Sequence, residues 1–271
     1  MIKDITIGQY FPGNSFIHKL DARTKLILVF AGLILIFLCR NFYALALMTA
    51  FAVGSVLLSR IPFGTIMKGF KTIFIIIVFS ALLQIFYNHN GTILFEWKKI
   101  QITTGGVNTA IFISVRIICL IFISSLLTYT TSPTLLTDGI ERLLKPLKIF
   151  HIEPHTLAMM MTIALRFIPT LIEEVDHIMA AQKARGADME TGSVVKRAKA
   201  LIPVLVPLFV NSFRRAYDLA YAMECRCYRG GSGRTRMRVM KFTYRDYIAF
   251  VICALLLAGI ILFNIFFEAV V

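Results

Sequence analysis

The sequence predicts an all-α integral membrane protein: about five transmembrane helices plus a cytoplasmic segment of two long crossed helices and a shorter one. Three observations predict this class. Apolar residues make up 58% of the 271, with a mean hydropathy of +0.76, whereas a soluble domain is nearer half apolar. The apolar residues gather into segments of about the length needed to cross ~30 Å of hydrocarbon. The lysines and arginines, which leave a net charge of +14, collect between those segments, as they do on the cytoplasmic flank of a span.

Residues 1–24 form an N-terminal cytoplasmic segment. Asp4, Pro12, Gly13 and Asp21 interrupt it, so no cleavable leader is expected. A first, somewhat short span covers 25–39 and ends at Arg40-Asn41. A second covers 42–59 and ends at Arg60-Ile61-Pro62, a third covers 70–87, and a fourth covers 106–129 and carries Arg116. Between the third and fourth, Asn88-His89-Asn90-Gly91 is a turn signal, followed by a β-prone stretch around Trp97. A small hairpin or loop is expected there. The last span covers 247–267.

Two further apolar segments, 157–172 and 200–213, are shorter than the ~20 residues a span prefers. They contain Arg166 and Pro169, and Pro203 and Pro207. Charge decides their placement. If both crossed, Lys183, Arg185, Lys196, Arg197 and Lys199 would face outside; if neither crosses, only Arg40, Lys98 and Lys99 do. The positive-inside rule prefers five spans with the N-terminus inside and the C-terminus outside. The chain then divides into 1–24, transmembrane helices 1–4 at 25–130, a cytoplasmic helical domain at 131–245, and a C-terminal transmembrane helix at 246–271.

The 131–245 block reads as helix. Ser132-Pro133 starts a short helix running to about 148. A second helix runs from about 155 to 185 and ends at Gly186, a residue suited to a left-handed position. Its distal half shows Ile168, Leu171, Ile172, Val175, Ile178 and Met179 on one face, with Glu173, Glu174, Asp176 and His177 off it. A third runs from about 193 to 228 and gives way to Gly230-Gly231-Ser232-Gly233. Each is roughly 45–55 Å long, and each is half-apolar, so the two pack together. Ser212, Ala216 and Ala220, four residues apart, would let the backbones approach closely where they cross.

Catalytic chemistry finds no footing. The glycines at 230–233 lack the lysine and spacing of a phosphate loop. Cys225 and Cys227 have no second pair or nearby histidine to complete a metal site, and Cys39, Cys119 and Cys253 lie in apolar spans. His151 and His155 are four apart, but Pro154 disfavours helix at Glu153. No catalytic residue, metal or cofactor is expected. Asp and Glu are absent from all five spans, which argues against an ion-coupled carrier. Arg116 is expected to play a structural part. From Arg226 to Arg245 inclusive there are seven Lys or Arg and no acid; anionic lipid, not nucleic acid, is the natural neighbour of that run.

Two arginines stand out. Ala184-Arg185-Gly186 and Cys225-Arg226-Cys227 close the two long helices in matching surroundings. A cation at a helix C-terminus is worth ~0.3–1 kcal/mol through the dipole, which would account for one such residue. Arginine also offers five planar donors to a partner's carboxylates and carbonyls. From the residues alone, capping and docking stand even.

Gln182-Lys183-Ala184-Arg185-Gly186-Ala187-Asp188 and Glu224-Cys225-Arg226-Cys227-Tyr228 resemble the paired arginine motifs of the transmembrane T component of energy-coupling factor (ECF) transporters. The resemblance extends over residues 8–15, Leu20-Asp21-Ala22-Arg23-Thr24-Lys25, Ala164-Leu165-Arg166-Phe167-Ile168-Pro169-Thr170 and 196–204, essentially end to end. It implies a scaffold in the plasma membrane of a prokaryote that joins two ABC-type ATPase subunits to a small membrane S component capturing a vitamin or related micronutrient. ATP hydrolysis would occur on those partners, so the chain is not an enzyme by itself. Arg185 and Arg226, with Ala184, Gly186, Cys225 and Cys227, would dock the ATPases. Leu205, Leu208, Phe209, Ser212, Ala216 and Ala220 would serve packing against the S component and between the coupling helices. Two departures are present: Cys227 stands where a glycine is common and takes a positive φ less readily, and Ala22 replaces a frequent proline. The rival reading is a self-contained channel or secondary carrier with a cytoplasmic gating domain.

Overall fold

The computed structural model describes residues 10–88, 92–97, 100–150, 153–187, 193–230 and 240–267. The turn at 89–91, Lys98 and Lys99, His151, Asp188 and the glycine break at 231–233 lie outside the described residues. Among those described, eight α-helices and one hairpin follow in order: α1 Ala22–Leu38, α2 Phe42–Ser59, α3 Phe63–Tyr87, β1 Ile93–Trp97, β2 Ile100–Thr103, α4 Thr104–Thr130, α5 Pro133–Leu143, α6 Pro154–Ala184, α7 Val194–Cys225 and α8 Tyr244–Phe266. The class is all-α and multi-pass membrane. The expected hairpin is present, with β1 and β2 antiparallel and Trp97 opposite Ile100.

Local chemistry sets the helix starts. The Asp21 carboxylate accepts from Arg23 N at 3.0 Å, Asn41 Oδ1 from Ala44 N at 2.8 Å, and Thr103 Oγ1 from Gly106 N at 3.2 Å. Each meets one of the N–H groups that a helix leaves unpaired at its start. α3 begins seven residues before the expected span, directly after Pro62, because a proline's fixed φ and missing N–H suit a helix start. The short helix expected to run to about 148 stops at Leu143 and continues as a 3₁₀ turn, Lys145–Phe150. Pro146 has no N–H to offer the Arg142 carbonyl, so the α-helical ladder cannot pass it.

Among the described residues, four helices are long and apolar enough to cross a membrane: α2, α4, α6 and α8. The set differs from the five expected spans. α1, at 17 residues, measures about 26 Å and falls short of the ~30 Å core. In α3 the apolar stretch is Ile73–Tyr87. α6 qualifies through its first half, although Glu173, Glu174 and Asp176 follow directly.

The chain divides into two compact units. One comprises 8–139 and 239–271. Here α4 packs against α1, α2 and α3, while α8 packs against α1 and α2. Ile36, Leu45, Met48, Phe112, Cys119, Ile123 and Ile260 form the core. Gly32 lets α1 approach α4, since a Cβ there would lie 3.3 Å from Ile123. Arg116 plays a structural part: Nη2 donates to the Cys39 carbonyl at 2.7 Å, and the guanidinium sits 4.7 Å from the Phe112 ring centre. A C-terminal carbonyl of α1, which has no intrahelical donor, is thereby satisfied. Asn264 Nδ2 does the same for the Leu38 carbonyl at 2.7 Å.

The other helix ends of this unit meet around buried charge. Lys25 is only 6% exposed, and its Nζ donates to the carbonyls of Thr130 at 2.8 Å and His18 at 3.2 Å. His18 Nε2 donates to the Phe11 carbonyl at 2.9 Å, so Nδ1 accepts from Ser15 Oγ at 2.7 Å. Burial lowers the affinity of this ring for a second proton, in keeping with its neutral tautomer. Asp246, 1% exposed, accepts from Thr243 N at 2.7 Å and from Asp21 N at 3.0 Å. One carboxylate thus caps α8 and holds the entry to α1. Asp246→Ala should destabilise the chain by about 3 kcal/mol, since each bond to a charged acceptor contributes on the order of 1.5–3. Thermal unfolding in detergent measures it; an unchanged midpoint would show that this junction is held elsewhere.

The second unit comprises the described residues of 140–238. Within it the His155 ring lies 3.1 Å from Glu141, and α6 packs on α7. Cross-contacts pair Gln182 with Pro203, Glu174 with Asn211 and Arg215, and Met159 with Tyr228. Residue numbers rise on one helix as they fall on the other, so the two run antiparallel.

Candidate docking surfaces

α6 ends with Ala184 and α7 with Cys225, leaving Arg185 and Arg226 as the residues that close each helix. Their backbones agree closely: φ −84°, ψ 5° for Arg185 and φ −91°, ψ 14° for Arg226. Beyond Arg185, Gly186 N bonds to the Lys183 carbonyl and Ala187 N to that of Gln182, both at 3.0 Å. Beyond Arg226, Cys227 N bonds to the Glu224 carbonyl at 2.8 Å and Tyr228 N to that of Met223 at 3.0 Å. These are two copies of the Schellman motif, in which the residue after the cap takes a left-handed conformation. Gly186 does so at φ 85° and Cys227 at φ 55°.

Cysteine at 227 therefore adopts the backbone that glycine adopts at 186. The strain of placing a Cβ in the left-handed region is on the order of 1–2 kcal/mol, which the two closing hydrogen bonds offset. Cys227→Gly should stabilise this helix end by about 0.5–1 kcal/mol, because glycine's extra unfolded-state freedom cancels part of the relief. Slower amide exchange across 223–228 would register it, and faster exchange would contradict it.

Because backbone N–H groups close both helices, neither guanidinium is used as a cap. Both arginines are exposed, and neither side chain has a hydrogen bond or ion pair among the described residues. Ala184 and Cys225 beside them are exposed too, and Gly186 faces open space.

The rest of α7 has two distinct faces. Val204 is buried, and Asn211 and Arg215 reach α6. The opposite side carries Ile202, Leu205, Val206, Phe209, Phe213, Tyr217 and Tyr221, all exposed. Four of these, Phe209, Phe213, Tyr217 and Tyr221, recur at intervals of four and are 63–66% exposed, so they form one line along the helix. Leu208 and Ser212 are half-buried between the faces, while Ala216 and Ala220 are exposed. The small-residue seam expected through Ser212, Ala216 and Ala220 is thus not where α7 meets α6. That contact lies further round, because Asn211 and Arg215 find their partner in Glu174.

The interior prolines explain one cross-helix bond. Pro207 has no N–H for the Pro203 carbonyl four residues earlier. Gln182 Nε2 donates to that carbonyl from α6 at 3.5 Å, tying the first arginine end to α7. At the second end, Tyr228 Oη donates to Met159 Sδ at 2.8 Å. Sequence reading missed Gln182, Glu174, Asn211 and Tyr228 as contact residues. The proline spacing was a usable signal for a free carbonyl, but nothing local names its donor.

The family model for the CbiQ cobalt transport protein matches residues 13–237. The chain is 50% identical over 267 residues to a protein of Ruminiclostridium cellulolyticum, covering 98% of this chain and 100% of that one. It is 52% identical over 261 residues to one of Clostridium kluyveri (96% of each) and 47% identical over 263 to one of Bacillus subtilis (97% and 99%). All three are named energy-coupling factor transporter transmembrane protein EcfT. The chain belongs to the EcfT family. As a family member it is a transmembrane transporter component, not an enzyme by itself. Among the described residues, no three His, Cys, Asp or Glu side chains converge as for a metal ion.

Proposed function

We propose that this EcfT-family chain is the membrane scaffold of an ECF importer, passing ATP-driven motion of two ABC-type ATPase subunits to a membrane-embedded S component that releases a vitamin or related micronutrient. The observation that carries this reading is the pair of equivalent, exposed arginines, unpartnered among the described residues, that close two packed helices. One such end would serve one partner; two alike suit two related partners. Ala184, Gly186, Cys225 and Cys227 flank the guanidinia with little bulk and complete the docking ends. The exposed apolar line of α7, with Leu205 and Phe209 on it, Leu208 and Ser212 at its edge and Ala216 and Ala220 beside it, serves the S component.

In this reading 1–24 and the coupling domain at 131–245 lie in the cytoplasm of a prokaryote. The segments 25–130 and 246–271 cross the plasma membrane, α6 does not cross, and the C-terminus is outside. The charge distribution supports it, since a crossing α6 would carry Lys183 and Arg185 toward the far side.

Vesicles test the reading. The chain alone should move neither labelled vitamins nor Co²⁺, with or without ATP. Adding both ATPases and an S component should give ATP-dependent uptake of that S component's substrate. Solute flux through the chain alone would identify a self-contained channel or carrier instead.

A further inference from the structure

We propose that the Glu174–Arg215 ion pair is the pivot of the two long helices and sets the spacing between the two arginine ends. Its consequence for transport rests on the docking reading above; its geometry does not. Glu174 is 13% exposed on α6, and α7 brings it one amide donor and one guanidinium from successive turns. Asn211 Nδ2 donates to Oε1, and Arg215 Nη2 lies 2.8 Å from Oε2. A carboxylate hydrogen-bonded at one oxygen and paired with a guanidinium at the other, by residues four apart, has one favourable position along the partner helix. Apolar contacts alone permit a slip of one turn, and a specific polar pairing across the two helices is an attested means of preventing it.

The arms about this point are equal. Arg185 lies eleven residues beyond Glu174 on α6, and Arg226 lies eleven residues beyond Arg215 on α7. Eleven residues span about 16 Å of helix and return to the same face within about 20°. Because the helices are antiparallel, the two ends leave the pivot in opposite directions, up to about 33 Å apart.

The contacts toward the ends are weaker than the centre. One is a 3.5 Å amide bond from Gln182 to Pro203, and the other uses a thioether sulfur, Met159 Sδ, as acceptor. Thioether sulfur is a weak acceptor, whereas charge-assisted pairs are roughly twice as strong as neutral ones. A polar cleft lined by Thr170, Glu173, His177 and Asn211 opens beside the pair, leaving room for the helices to turn about it. A strong centre with weak ends lets the pair scissor while holding its register. Glu174 and Arg215 are thus positioning residues, acting through the arginine ends.

The test needs no partner protein. Nitroxide labels on Ala184→Cys and on Cys225, the residues preceding each arginine, report the spacing by pulsed electron resonance in the full chain in detergent. Cys227→Gly and Cys253→Ala remove the other accessible thiols, and Cys39 and Cys119 are buried. One narrow distance population is expected. Glu174→Gln, which keeps an acceptor for Asn211 but discharges the pair, should broaden or shift it. Arg215→Gln, at a more exposed side chain, should do the same, and the exchanged pair Glu174→Arg with Arg215→Glu should restore the parental distribution. A parental distribution in either folded single variant overturns the proposal. In the assembled transporter the single variants should hydrolyse ATP while uptake per ATP falls at least about fivefold. Parental uptake per ATP despite a broadened distribution overturns the coupling role. Failed assembly in variants of Arg185 and Arg226 is a separate result, bearing on docking alone.

Discussion

Replacing both Arg185 and Arg226 with glutamate should strip the ATPase subunits from the chain and abolish uptake, while the membrane helices stay folded. Both guanidinia are exposed and without partners among the described residues, so the substitutions break no internal contact there. The Schellman bonds that close α6 and α7 run between backbone groups and survive any side-chain change. What changes is the charge offered to a partner. Losing one member of a buried interfacial charge pair costs about 2–5 kcal/mol, so two losses weaken assembly on the order of a thousandfold or more. Co-purification of each ATPase with the single and double variants measures this, alongside uptake in vesicles. Each single variant should lose mainly one subunit. Arginine to lysine keeps the charge but not the planar set of donors, so it should fall between parent and glutamate. Full assembly and uptake in the double glutamate variant would leave the arginines with only their favourable interaction with the helix dipoles.

Phe209→Gln with Phe213→Gln should separate the two kinds of partner. These side chains are 63% and 64% exposed, one turn apart, in the middle of the apolar line on α7. Burying a phenylalanine contributes about 1.5–3 kcal/mol, so losing both should reduce S-component retention by on the order of a hundredfold or more. ATPase retention should not change, because neither residue lies at an arginine end or faces α6. Leu208→Gln is a less clean probe, since Leu208 is half-buried near the Asn211 and Arg215 face. Pull-downs in which the phenylalanine variants lose the ATPases and keep the S component would reverse the assignment of this surface.

Much of the fold was legible because its signals are local. The hydrophobic density gave a membrane protein, Pro133 and Pro154 stand at helix starts, and Gly186 marks the end of α6. The hairpin around Trp97 follows from the β-prone run there. The span set was less legible. Length and hydropathy alone admit α6 and leave out α1, whereas charge asymmetry argues the other way. These are different forces, and one weighs apolar area without asking which side must hold the lysines. The placement of Arg116 was legible as a structural role, but its acceptor, the Cys39 carbonyl 77 residues earlier, was not.

Local sequence signals alone carried the class, the long helices within 131–245, and the positions of Arg185 and Arg226 at two matched helix ends. Periodicity, caps and motif spacing act within a few residues, so one strand of text contains them. Tertiary structure decided what depends on residues far apart in the chain. It paired Glu174 with Asn211 and Arg215, turned the aromatic line of α7 outward, moved the α6 contact away from Ala216 and Ala220, and buried Lys25 against the end of α4. It also decided Cys227: the residue type disfavours a positive φ, but the closing bonds from Cys227 and Tyr228 to α7 outweigh that cost. The physical reason is common to all of these. A polar group taken out of water must find its partner, and only the folded chain says where that partner lies.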